Sequence, residues 1–276
     1  MRLKSLCSTF CFAIVAQLGQ PLVPWTSSRG NLSHVSGRAH VSMQRRKTQI
    51  QRHQQVSHMA PTCEAVANPF IAVLRGVTLE EIADVARVLM DEGFTMISVT
   101  VETPKFLRIL DVLSNEPALQ GLLPGVSSVT TPDQVEKAAF HGARFVSSMS
   151  LYPSVVRSTK DLGLLSIPGV SSPSEALDAL TTGGDILKVY PAHSITPPAV
   201  KSLLEYLPAT TRVITAGGLR VDQIAAYSQA GVAGFAVGST LFNTGIDIPE
   251  LQKRARAFFD EGTRCHCRLQ QNPLIE

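Results

Sequence analysis

The stretch "GGDILKVYPA", residues 183–192, ends an apolar run on a lysine, with an aromatic residue and a proline close behind. Lysine is among the residues least often fully buried, and indoors it gives up its charge or finds a partner. If the run is a strand, Ile186, Lys188 and Tyr190 share one face, and Asp185, Leu187 and Val189 the other. Leu187 and Val189 suit an outer, helix-packed face, which turns Lys188 inward. An inward lysine among apolar walls holds its proton weakly, because desolvation disfavours the ammonium. Its neutral amine is a nucleophile toward carbonyls and forms a Schiff base. The competing reading is a lysine that snorkels to solvent or pairs with a carboxylate.

Glycines supply a second element. "TAGG" (215–218) and "VGS" (237–239) close two consecutive apolar runs after the lysine. Backbone N–H groups at such turns cradle a phosphate, and paired glycines let the backbone come close to it. The competing reading is tight turns alone. A nucleophilic lysine with phosphate loops on the next two strands suggests a phosphorylated carbonyl substrate and carbon–carbon bond chemistry.

The elements that must position these groups are legible from residue 69 onward. "PFIAVL" (69–74) reads as a buried strand, then "TLEEIADVARVLMDEG" (78–93) as a helix with a Thr78/Glu81 capping box and Gly93 at its end. "MISVTV" (96–101) precedes a helix from Pro104 to about Ser114. "GLLPGV" (121–126) precedes "TPDQVEKAAFHG" (131–142), with Pro132 at the first helical position. "ARFVSS" (143–148) precedes a helix from Pro153, and "LLSIPGV" (164–170) precedes "SPSEALDALTTGG" (172–184), capped by Ser172 and Glu175. "DILKVYP" (185–191), "TRVITAGG" (211–218) and "VAGFAVGS" (232–239) complete the strands, each followed by a helical pattern, the last running to about Asp260.

Strands apolar on both faces belong to a parallel sheet covered by helices. Eight such units predict an α/β fold, a (β/α)8 TIM barrel, over an open doubly wound sheet. No G-x-G-x-x-G opens a helix after the first strand, which argues against dinucleotide binding. In a barrel, the active site lies at the C-terminal strand ends. There stand Arg75, Ser98 to Glu102, Ser127, Ser128, Ser147, Ser148, Pro168, Lys188, Tyr190, Gly217, Gly218, Gly238 and Ser239.

Charge divides the chain in two. Residues 1–63 hold eight basic residues and no acid, leaving 17 basic against 22 acidic residues in the body, a net of −5. The overall +3 therefore comes from the leader and gives no support to a nucleic-acid partner. Arg2 and Lys4 before the apolar "LCSTFCFAIVA" (6–16) read as a signal-like start, too short to span a membrane easily. The acid-free, Ser- and Arg-rich stretch to residue 60 reads as transit-like. The expected organisation is a disordered targeting leader (1–63), a barrel (64–262) and a tail (263–276). The two-part leader points to a plastid of complex algal type, with a mitochondrial presequence as the alternative, and the mature form needs no membrane. Of five cysteines, none lies between 64 and 262, and the "CHC" at 265–267 offers too few ligands for a metal site.

"PFIAVLRGVTLEEI", "PGVSSPSEAL", "LKVYPA", "AGGL" and "VGSTLF" resemble the family of 2-keto-3-deoxy-6-phosphogluconate and -galactonate aldolases, in unbroken order from about Asn68 to Asp260. The resemblance implies a lyase on a (β/α)8 barrel, usually a homotrimer, with no metal or cofactor. Its substrate would be a phosphorylated keto sugar acid, with pyruvate as product. It implies Lys188 as the Schiff-base lysine, Arg75 as a binder of the anionic substrate, and Gly217, Gly218, Gly238 and Ser239 as phosphate loops. Tyr190 stands where an aromatic packs beside the Schiff base. Ser128 stands where the threonine of a "GAGT" stretch meets the pyruvate carboxylate, this chain reading "GVSS" (125–128).

Departures are equally specific. The family's acid/base Glu, in an "I/L-E-V-T" pattern, is Ser98 here, and a hydroxyl cannot take up a proton near neutral pH as a carboxylate does. Glu102 appears where a substrate-binding Arg or Asn often sits. The fourth strand, which usually ends in Ser/Thr-Pro, reads Ser148-Met149, leaving Ser148 as a substrate-binding candidate. Two readings follow. Glu102 has taken over the proton shuttle, pointing with Ser98 if the strand extends that far, or the chain is a degenerate relative that binds a phosphorylated sugar acid with little turnover.

Overall fold

The computed structural model describes residues 70–271, with side chains through Cys265. The leader expected over 1–63 lies outside the described residues. Strands and helices alternate: β1 (Phe70–Leu74), α1 (Ile82–Asp91), β2 (Met96–Thr100), α2 (Phe106–Asn115), β3 (Leu123–Ser127), α3 (Pro132–Phe140), β4 (Phe145–Ser147) and α4 (Pro153–Asp161). Then come β5 (Leu165–Ile167), β6 (Gly169–Val170), α5 (Pro173–Thr182), β7 (Ile186–Val189), α6 (Pro197–Glu205), β8 (Arg212–Ala216), α7 (Val221–Gln229), β9 (Gly234–Val237) and α8 (Ile248–Gln271).

All strand pairs are parallel, in the order β5-β4-β3-β2-β1-β9-β8-β7-β6. The eight expected strands are thus nine, because "LLSIPGV" breaks at Pro168. Proline has no N–H to give the ladder, but its carbonyl still accepts. The Lys188 N–H donates to the Pro168 C=O at 2.9 Å, and the Asp185 N–H to the Ser166 C=O at 3.0 Å. These bonds join β5 and β6 to β7 and bring the ends of the sheet together as a barrel.

Two apolar layers follow from strand alternation. Ile71, Met96, Phe145, Leu165, Ile167, Ile186, Ile214, Ala216 and Ala236 fill the interior. Leu187, Val189, Val213 and Phe235 face outward into the larger layer beneath the helices, which includes Ile82, Val85, Ala86 and Leu89 of α1. Thr78 and Glu81 do exchange the expected capping bonds (2.7 and 3.3 Å), but the regular helix begins only at Ile82. The last helix continues past Asp260 to Gln271, so the expected tail is helical over its first residues and Cys265 is buried. Among the described residues no helix is long and apolar enough to cross a membrane.

Gly125 is paired in register with Phe145, and a Cβ there would run into the phenyl ring at well under van der Waals distance. This absence of a side chain is what lets Phe145 fill the barrel floor beneath the site. Gly125→Ala is expected to lower stability by about 1–3 kcal/mol through overpacking. A Gly125→Ala/Phe145→Leu double variant should recover part of that loss in chemical denaturation, and independent, additive losses would contradict the packing account.

Candidate active site

Lys188 points inward from β7, as its neighbours imply: Ile186 and Tyr190 belong to the interior layer, Leu187 and Val189 to the outer one. Its residue exposure is only 6%, and burial lowers its pKa from 10.5 to about 7. Its Nζ donates to Ser147 Oγ at 2.7 Å. The partner is a neutral hydroxyl, so no opposite charge among the described residues offsets the desolvation, and near pH 7 a large share of the amine is in the neutral form that attacks carbonyls.

Ser147 ends β4 on the interior face, two residues beyond Phe145. Ser148, the residue favoured by the sequence reading, follows β4, buried, with its hydroxyl donated to the Ser150 C=O at 2.7 Å. Sequence reasoning had Ser147 among the strand-end residues and did not select it. The signal was the alternation with Phe145, and it needed the knowledge that Phe145 faces in.

Further interior hydroxyls come from β2 and β3. Ser98 is fully buried, accepts from Ser127 Oγ at 2.7 Å, and donates to the Ala72 C=O at 3.4 Å. The serine at the family's carboxylate position is therefore tied to its neighbours. Glu102 does not follow it inward. Strand β2 ends at Thr100, where the Thr103 N–H turns back onto the Thr100 C=O at 3.0 Å. The expected strand extension thus fails, and Glu102 stands in the turn, its side chain 49% exposed, 3.9 Å from Arg75. Arg75 itself follows β1 at the barrel rim, 62% exposed, where it can meet an anion.

The remaining expected residues gather at the same strand ends. Ser128 follows β3, buried, with φ +63°, a left-handed backbone uncommon for a residue with a Cβ. Such strain persists where surrounding structure holds it, commonly at ligand sites. Gly217 and Gly218 follow β8 with φ +97° and +69°. A Cβ on Gly217 would lie 2.8 Å from the Tyr190 ring, so the glycine permits Tyr190 to lie against this turn. Gly238 follows β9, and its carbonyl accepts from the Leu241 and Phe242 N–H groups. The chain thus winds into a helical turn whose first N–H groups, at Ser239 and Thr240, take no part in those bonds. Lys188, Ser147, Ser128, Arg75 and the two glycine turns all lie at one end of one barrel.

A family model described as KDPG and KHG aldolase matches residues 64–256. A probable 2-dehydro-3-deoxy-6-phosphogalactonate aldolase of Rhizobium meliloti (strain 1021) is 33% identical over 68% of this chain and 89% of its own. The 2-dehydro-3-deoxy-6-phosphogalactonate aldolase of Escherichia coli (strain K12) is 28% identical over 69% of this chain and 92% of its own. A solved structure described as native KDPGal superposes with a TM-score of 0.71 at 26% identity, covering 73% of this chain and 97% of that one.

Burying Lys188 has a pH signature. Between about 7 and 10.5 the unfolded chain binds a proton that the folded chain does not, so stability rises with pH through that window and falls as pH drops through it. Lys188→Met keeps the length and removes the titration. The variant should be more stable than the wild type below about pH 7, with the gap closing toward pH 10.5 in urea or thermal unfolding. A gap that does not vary with pH would contradict a buried, titrating amine.

Proposed function

The chain belongs to the KDPG and KHG aldolase family, and on that footing we propose that it reversibly cleaves a 2-keto-3-deoxy-6-phospho sugar acid to pyruvate and glyceraldehyde 3-phosphate. One observation carries the reading: a buried lysine whose amine touches a neutral hydroxyl and, among the described residues, no carboxylate. That amine attacks C2 of the keto acid, and loss of water with uptake of one proton gives an iminium. The iminium draws in the C3–C4 bonding pair as the C4 hydroxyl gives up its proton, releasing the aldehyde. The remaining enamine is protonated at C3, and water frees pyruvate. Backbone N–H groups at Gly217, Gly218, Gly238 and Ser239 suit the phosphate, Ser128 the carboxylate, and Arg75 the anionic substrate at the rim. Tyr190 walls the Schiff base.

The galactonate epimer is the favoured substrate, because both relatives described above carry that name. The reading as a binding protein without turnover finds no such support. Ser98 removes a carboxylate, but a general acid–base group contributes about 10²–10⁴-fold, and the remaining machinery still accelerates the reaction.

The test supplies both 6-phosphorylated epimers and follows pyruvate through a coupled dehydrogenase. Pyruvate release faster from the galactonate epimer, abolished in Lys188→Met, is expected. No pyruvate from either epimer with folded protein would overturn the activity. The resemblance also implies a trimer, and a monomeric mass by light scattering of the same preparation would contradict that part.

A further inference from the structure

The interior serines differ in how their protons are spent. Ser127 gives its proton to Ser98, and Ser98 gives its own to the Ala72 carbonyl. Ser147 is different. Its oxygen lies 2.7 Å from Lys188 Nζ and accepts from it, and among the described residues that amine is the hydroxyl's one hydrogen-bond partner. It is 4% exposed and sits at the C-terminal end of β4, on the face that lines the barrel. A hydroxyl in this state touches the nucleophile and is committed to no backbone carbonyl, so its proton is available to a group bound beside the amine.

The chemistry at Lys188 has a use for such a group. When the amine attacks C2, the N–C bond forms and the C=O π pair moves onto oxygen. The nitrogen then carries one proton too many and the oxygen one too few. Direct transfer between them requires a strained four-membered arrangement. The carboxylate of the described residues that the sequence reading assigned to proton transfer, Glu102, lies outside in the turn after β2.

We propose that Ser147 is a catalytic residue for Schiff-base formation, relaying a proton from the Lys188 nitrogen to the C2 oxygen of the substrate. Ser147 Oγ takes the proton from nitrogen while the serine's own proton passes to the C2 oxygen. The carbinolamine is then neutral, the serine ends as it began, and no external base is consumed. A second relay in the same direction, from the carbinolamine N–H through Ser147 to the C2 hydroxyl, lets that oxygen leave as water and gives the neutral imine, which takes one proton from solvent to become the iminium. A hydroxyl suffices because the step moves a proton through it and stores none. The proposal rests on Lys188 being the Schiff-base lysine and adds the residue that serves it.

Threonine and valine at position 147 are isosteric, so comparing Ser147→Thr with Ser147→Val cancels packing and isolates the hydroxyl. The reading is the rate at which saturating pyruvate becomes irreversibly attached to the full-length protein under cyanoborohydride, with folding checked by circular dichroism. Ser147→Thr should react at close to the wild-type rate, and Ser147→Val about 10²-fold or more slowly, within the usual range for a proton-transfer group. Equal rates for the two variants, fast or slow, would overturn the relay. If the wild type itself fails to attach pyruvate, the Schiff-base reading falls first. If it attaches pyruvate while the variants match each other, only the relay falls.

Discussion

Taking an ammonium group out of water costs several kcal/mol unless an opposite charge goes with it. Among the described residues none pairs with Lys188: its hydrogen-bond partner is a serine hydroxyl, and Ile186, Ile167 and Ile214 belong to the same apolar inner layer. The penalty lowers the pKa to about 7, which makes a reactive neutral amine accessible near neutral pH. Much of the fold can be read as the means of enforcing that burial. Parallel strands put every second side chain indoors, helices seal the outside, and Phe145 closes the floor because Gly125 leaves it room. Even the interruption at Pro168 serves the arrangement, since its carbonyl receives the backbone N–H of Lys188 and fixes the register of β7.

The polar groups around the amine divide by strand. Those on β2 and β3 are closed upon themselves, Ser127 to Ser98 to Ala72, and make a buried network with its donors satisfied. Satisfied networks rigidify a site. Ser147 on β4 is the open member. Charged groups stay at the rim, where Arg75 and Glu102 face each other at 3.9 Å in largely solvated positions. The site is therefore graded from an uncharged interior to a charged mouth. An anionic substrate meets charge at the entrance, while its carbonyl meets a neutral nucleophile within.

Much of this was legible in the sequence because a strand alternates with period two. Leu187 and Val189 settle which way Lys188 points without reference to any other element, and the glycine runs announce the turns after the next two strands. Three features escaped the local pattern. "ARFVSS" is apolar at both Phe145 and Val146, so its phase is ambiguous, and the choice between Ser147 and Ser148 depends on which face Gly125 makes room for. Glu102 has the parity of Ser98, but its strand is stopped at Thr100 by a turn stapled from the loop after β1, where the Gly76 N–H bonds Thr103 Oγ1 at 3.0 Å. That contact spans 27 residues and leaves no local trace. Pro168 hides in a run that reads as continuous, because its missing donor matters only once neighbouring strands are placed.

The most direct measurement on the central claim is the position of the covalent bond. The protein is incubated with pyruvate, reduced with borohydride, digested, and the modified peptide is sequenced by mass spectrometry. The account predicts the added mass on Lys188 alone. Modification of a different lysine, or none in protein shown to be folded, would contradict the assignment of the buried amine as the nucleophile.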